Sequence, residues 1–111
     1  TELHKLPVKM PSKSQMMTLQ LHQQGLEVAD IAEQRGFSVS TITNHLSDLL
    51  EMNQPVALNK LVSADKQAAI IQAIKEVGDI SLKPIKEALG EDYSYDEIKL
   101  VRGWHRNQDN L

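Results

Sequence analysis

The sequence predicts an all-α fold of about six helices: a helix-turn-helix unit of three, winged-helix-like in outline, followed by a second small unit of three. Three observations predict it. Apolar residues recur at helical spacing along most of the chain. Serines and glycines punctuate those runs as caps do, with Ser38, Ser63, Ser81 and Ser94 ahead of them and Gly25, Gly36, Gly78 and Gly90 behind. The stretch 28–46, VADIAEQRGFSVSTITNHL, also carries the linked residues of a helix-turn-helix bend. Ala32 is small where the first helix of the motif must cross the second, Gly36 can take positive φ in the turn, and Ile42 is a branched anchor for the following helix.

In chain order, residues 1–13 hold two prolines and no sustained period, and read as a linker or tail from an upstream domain. A helix-turn-helix unit is expected over 14–53. Its first helix starts with Ser14 as N-cap, turns Met17 and Leu21 inward and stops at Gly25. The second, about Glu27 to Arg35, buries Val28, Ile31 and Ala32 and ends at Gly36. Ser38 caps a third running to about Met52, with Val39, Ile42, Leu46 and Leu49 on one face and Phe37 filling the core beside them. The connector, 54–62, fits either a short strand or a helical turn. A second helical unit follows over 63–107, packed on the first. Ile70, Ile71, Ile74 and Val77 form one stripe, and Pro84 sits in the first turn of a short helix, where proline is tolerated. Ser94 and Glu97 form a capping box before Ile98, Val101 and either Trp104 or His105. Residues 108–111 are a tail.

Composition narrows the function classes. Hydrophobic residues make up 41% of the 111, enough for a packed core, and no apolar run is long enough to cross a bilayer, so no membrane partner is expected. No secretory leader is legible, and the absence of cysteine excludes disulfides and thiolate metal sites; a cytoplasmic, nucleoid-associated setting is compatible with both. His4, His22, His45 and His105 fall on different elements without metal-ligand spacing, and no phosphate-cradling loop or nucleophile elbow is present. A non-catalytic module with no cofactor, no metal and no small-molecule substrate is the expectation. The net charge of −3 runs against the usual nucleic-acid binder, which is basic because neutralised phosphates release counterions.

Two candidate surfaces remain. On the third helix, Ser40, Thr43, Asn44 and Ser47 are expected opposite the core, offering hydroxyls and an amide to phosphates or base edges. That helix has no cation, and Asp48 and Glu51 sit toward its end. On the last helix Lys99, Arg102 and Arg106 stand at i, i+3 and i+7 and share a face, with Lys83 and Lys86 of the preceding helix as possible neighbours. Trp104 beside them is either a stacking platform for a single strand or a core residue. The competing class is a protein-docking module using the acidic helix-turn-helix face. A stand-alone transcription regulator is disfavoured by net charge.

The run MMTLQLHQQGLEVADIAEQRGFSVSTITNHLSDLL, with Thr18, Gly25-Leu26, Ile31-Ala32, Arg35-Gly36, Ser40-Thr41-Ile42 and His45-Leu46, resembles the helix-turn-helix domain at the C-terminus of bacterial RecQ-family DNA helicases. Leu61-Val62-Ser63, the Ile70 to Ile74 helix and Ser94-Tyr95 leading into Ile98-Leu100-Val101-Arg102 extend the likeness over about Ser12 to Arg106. The STI…HL string alone is also similar to response-regulator DNA-binding domains; the second half favours the helicase family. The resemblance implies an accessory DNA-binding domain acting in repair or recombination, with DNA and the rest of a helicase polypeptide as its partners. The motor itself is not implied, since these positions carry no ATP-binding residue.

Overall fold

The computed structural model describes residues 10–109, with the side chain of Asp109 left aside. The expectations placed on residues 1–9 and 110–111, His4 included, lie outside the described residues. All described regular structure is helical: α1 (Lys13–Gln23), α2 (Val28–Arg35), α3 (Val39–Glu51), α4 (Leu58–Leu61), α5 (Ala64–Val77), α6 (Leu82–Leu89) and α7 (Tyr95–Asp109). The seventh element relative to expectation is α4, one turn of helix in the connector that the sequence left open between strand and turn.

Local chemistry accounts for most of the boundaries. Ser12, not Ser14, caps α1, because Gln15 three residues on completes a box: Gln15 N–H donates to Ser12 Oγ (3.0 Å) and Ser12 N–H to Gln15 Oε1 (2.9 Å). Gly36 ends α2 in the left-handed region (φ 71°), and Phe37 N–H reaches back to Ala32 O at 2.9 Å. Ser38 accepts from Thr41 N–H at 3.0 Å to start α3. The Ser94–Glu97 box forms as expected, Glu97 N–H to Ser94 Oγ at 3.1 Å and Ser94 N–H to Glu97 Oε1 at 3.0 Å.

The inner face of α1 differs from expectation. Met17 is 54% exposed, and Thr18, Leu19 and His22 are the buried residues. Polar bonding turned the helix. Arg35 donates to Thr18 Oγ1 (2.6 Å), Ser14 O (2.7 Å) and Ser14 Oγ (3.0 Å), and Thr18 Oγ1 also meets His45 Nδ1 at 2.9 Å. His22 Nε2 accepts the Ala57 N–H at 3.0 Å, fastening the connector onto α1. Phe37 and Val39 are likewise displaced from the expected core. Phe37 is exposed and lies under the Arg35 guanidinium (4.8 Å to the ring centroid) with its ring edge-on to His45.

One hydrophobic core joins the elements, with Ile31, Ile42, Leu46, Leu49, Ile70, Ile85, Ile98 and Val101 at its fully buried centre. Each such isoleucine contributes about 2 kcal/mol of burial. The largest helix–helix interface is between α3 and α7. Their bridging contacts climb both helices in the same direction: Asn44 with Lys99, Ser47 with Lys99 and Gly103, Glu51 with Arg106, Asn53 with Asn107. The two helices therefore run parallel. Gly103 sits at their closest approach, where an added Cβ would lie far inside contact distance of Ser47 O and 2.9 Å from Ser47 Oγ.

Candidate nucleic-acid interface

Helix α3 buries two faces, not one. Ile42, Leu46 and Leu49 face the core of the motif. Thr43, Ser47 and Leu50 follow at i, i+4 and i+7 on the adjoining face, and Ser47 Oγ donates to Lys99 O at 2.8 Å, which places that face under α7. Thr43 (2% exposed) and Ser47 are thus corrected: expected on the open side, they are covered because a neighbour absent from local periodicity lies on them. What stays open on α3 is Val39 at its start and a narrow polar strip of Ser40 and Asn44, flanked by the half-buried Thr41, Asp48 and Glu51.

The basic stripe of α7 divides in the same way. Lys99 Nζ donates to Asn44 Oδ1 at 3.1 Å, so a cation from α7 stands beside the polar strip of the cation-free α3. Local spacing along either helix carries no sign that these two candidate surfaces adjoin. Arg102 and Arg106 turn instead to the loop between α5 and α6. Arg102 Nη1 donates to Asp79 O (3.3 Å), Arg106 Nη2 to the same oxygen (2.8 Å), and Arg106 Nε to Asp79 Oδ2 (3.1 Å). Arg106 also lies 4.0 Å from Glu51. Burial lowers the Arg102 pKa, helped by the like charge of Arg106 and opposed by Asp79 and Glu51, yet a guanidinium keeps its proton throughout. These two arginines are half-buried braces, and their charge is largely spent inside the molecule.

Lys86 does not join the stripe. It caps the end of α6, donating to Gly90 O (3.1 Å) and Tyr93 O (2.5 Å). Lys83 is exposed. Trp104 packs on the core, so its ring is not a free stacking platform. The acidic neighbours Asp48 and Glu51 are partly engaged, Asp48 Oδ2 accepting from Gln15 Nε2 at 3.2 Å.

His22 and His45 hold structural posts. Burial depresses the pKa of His22, with Lys60 adding to it, and burial followed by Arg35 depresses that of His45 against the opposing pull of Asp48. Among the described residues no group of three or more histidine and carboxylate side chains is gathered as a metal site would need, and no helix is long and apolar enough to cross a membrane.

Comparison with known proteins agrees with the helix-turn-helix fold. A family model described as a helix-turn-helix domain matches residues 14–102. The chain is 29% identical over 90 residues to protein YpbB of Bacillus subtilis (strain 168), an alignment that covers 81% of this chain and 26% of that protein. It therefore spans about a quarter of the length of that relative. No solved structure matches.

Proposed function

The chain belongs to the helix-turn-helix domain family, which points to nucleic-acid binding, and we propose from that premise that it is an accessory nucleic-acid-binding module of a longer polypeptide. It makes backbone contacts through the N-terminal half of α3, with little base specificity. The observation that carries this reading is the Asn44–Lys99 pair, which joins an amide and an ammonium on the open edge of the recognition helix. Ser40 lies one turn before Asn44 on the same strip and extends it. Such groups suit phosphate oxygens, and a lone lysine against a phosphate acts as a point charge without reading sequence. The coverage of α3 by α7 supports shallow engagement over insertion of the whole helix into a major groove. The resemblance to the C-terminal domain of RecQ-type helicases supports repair or recombination as the setting and the helicase polypeptide as its carrier; that assignment rests on the sequence likeness.

Fluorescence anisotropy with single-stranded, duplex and forked DNA across a salt series tests the proposal. Lys99→Glu and Asn44→Ala are expected to weaken binding to all three, and the lysine change should lower the salt slope by about 1. Unaltered affinity in both variants would remove this surface. Charge reversal of Arg102 or Arg106 is a poor probe, because it releases the Asp79 loop. A second reading, protein docking, is favoured by a cleft of about 480 Å³ bordered by Leu26, Val28, Val39 and Leu61 with Lys60 and Glu27 on its rim. Absence of DNA binding at low salt by a folded chain would shift the assignment there.

A further inference from the structure

The loop between α5 and α6 presents an isoleucine to solvent. Ile80 is 91% exposed, the most exposed of the large hydrophobic residues described. Its neighbour Asp79 is held on both its carbonyl and its carboxylate by Arg102 and Arg106, so the residue next to the tip is fixed by three hydrogen bonds from α7. Gly78, at φ 86°, makes the sharp exit from α5 that this loop requires. A lone exposed isoleucine is ordinary on a protein surface; what sets Ile80 apart is that the residue beside it is pinned in place by two arginines.

We propose that Ile80 is a wedge that enters beside an unpaired base, so that the module engages the junction between double- and single-stranded nucleic acid. This deepens the nucleic-acid reading and rests on it. Three features favour a base over a protein pocket. The apolar surface is small: only Val77 and Pro84 are exposed near it in sequence, against roughly 800 Å² that each partner brings to a stable protein interface. A single apolar side chain is instead what separates one base step, and isoleucine is among the residues that do so. The charge around the tip also suits a polyanion. Lys75 and Lys83 are exposed within five positions of Ile80, where Asp79 is paired with Arg106 and Glu76 is the one exposed carboxylate.

Position supports the same assignment. The stripe Lys99–Arg102–Arg106 bonds Asn44 at one end and the Ile80 loop at the other, separated by about 10 Å along α7. Backbone contact and wedge thus flank one stripe on one helix. Unstacking costs least where a base has already lost its partner, which selects a fork or duplex end over a continuous duplex.

The test compares the 111-residue chain with its Ile80→Ser variant on a blunt duplex and on the same duplex with single-stranded arms, carrying 2-aminopurine at the junction. The wild type is expected to prefer the fork and to alter the 2-aminopurine fluorescence. Ile80→Ser should lower fork affinity by about tenfold, abolish the fluorescence change and leave duplex affinity and melting temperature as they were. Asp79→Ala, which removes the Arg106 Nε–Asp79 Oδ2 bond and leaves the two bonds to the Asp79 carbonyl, should give a small part of the same fork-specific loss. A fork affinity unmoved by Ile80→Ser, or a loss of equal size on both ligands, overturns the wedge while leaving the Asn44–Lys99 surface standing. A wild type that binds neither ligand at low salt removes the nucleic-acid reading and the wedge together.

Discussion

Substituting Gly103 by alanine tests the contact that shapes the whole candidate interface. In an isolated helix this change is favourable by about 1 kcal/mol, since glycine is the poorer helix former. Here the new Cβ would be driven against Ser47 O, a backbone atom that cannot swing aside, and would crowd Ser47 Oγ at 2.9 Å. Overpacking of this kind costs about 1–3 kcal/mol, and contact with backbone puts the case at the upper end. Displacing Ser47 also weakens its bond to Lys99 O, worth about 1 kcal/mol. The propensity gain offsets only part of this, leaving a net loss of about 2–3 kcal/mol. For a domain near 100 residues that corresponds to a fall in Tm of roughly 8–15 °C. Urea unfolding followed by far-UV circular dichroism should show a lower midpoint with an unchanged slope. The double variant Ser47→Ala, Gly103→Ala should not recover, because the principal clash is with the main chain. A Gly103→Ala protein as stable as the wild type, or more so, would refute the parallel close packing of α3 on α7, and with it the burial of Thr43 and Ser47.

Two further outcomes follow from the polar anchors. Arg35→Met removes a fork that ties the end of α2 to Ser14 and Thr18, and should cost about 2–3 kcal/mol of stability in urea unfolding. Arg35→Lys should recover little of it, since an ammonium cannot span both acceptors in one plane; full recovery would show that charge alone matters. Stability should also fall with acid below the ordinary histidine value of 6.5. His22 and His45 both have depressed pKa values when folded, so the unfolded chain takes up protons first, and their contribution is complete above that value and lost as pH falls through it. His22→Gln, which can still accept from Ala57 N–H, should flatten the change in urea midpoint between about pH 7.5 and pH 5.5; an unchanged dependence would assign it elsewhere.

What was legible in the sequence was local. Ser38, Gly36 and the Ser94–Glu97 box are signalled within four residues of where they act, and the Ile42-Leu46-Leu49 stripe follows from helical period. The inner face of α1 was not, because its anchors are Thr18 and His22, polar residues that apolar counting assigns to solvent. Their partners, Arg35, His45 and Ala57, lie at least 17 positions away in the chain. The candidate site failed to declare itself for the same reason. Spacing shows that Lys99, Arg102 and Arg106 share a face, but not that Asn44 meets the first and Asp79 the others. One signal did point to the hidden packing. Gly103 stands inside a helix that opens on a capping box and continues beyond it to Asp109, and glycine at such a position marks close approach by another backbone.

The net charge of −3 weighs less against nucleic-acid binding once the cations are placed. Long-range repulsion between exposed charges fades over about 8–10 Å at physiological salt, so what decides contact is the sign of the charge at the approaching edge. At the Asn44 edge that charge is Lys99, with Asp48 half-buried beside it, and beside Ile80 it is Lys75 and Lys83 against Glu76. Two or three phosphate contacts make a weak site, far short of what a free-standing operator-binding protein needs. They are enough for a module carried on a longer chain that already grips the nucleic acid, where a short tether supplies an effective concentration of about millimolar. Weakness then becomes useful. On the proposed reading, a ligand that offers phosphates to Lys99 and a loose base to Ile80 together would be retained over continuous duplex, which offers only the first.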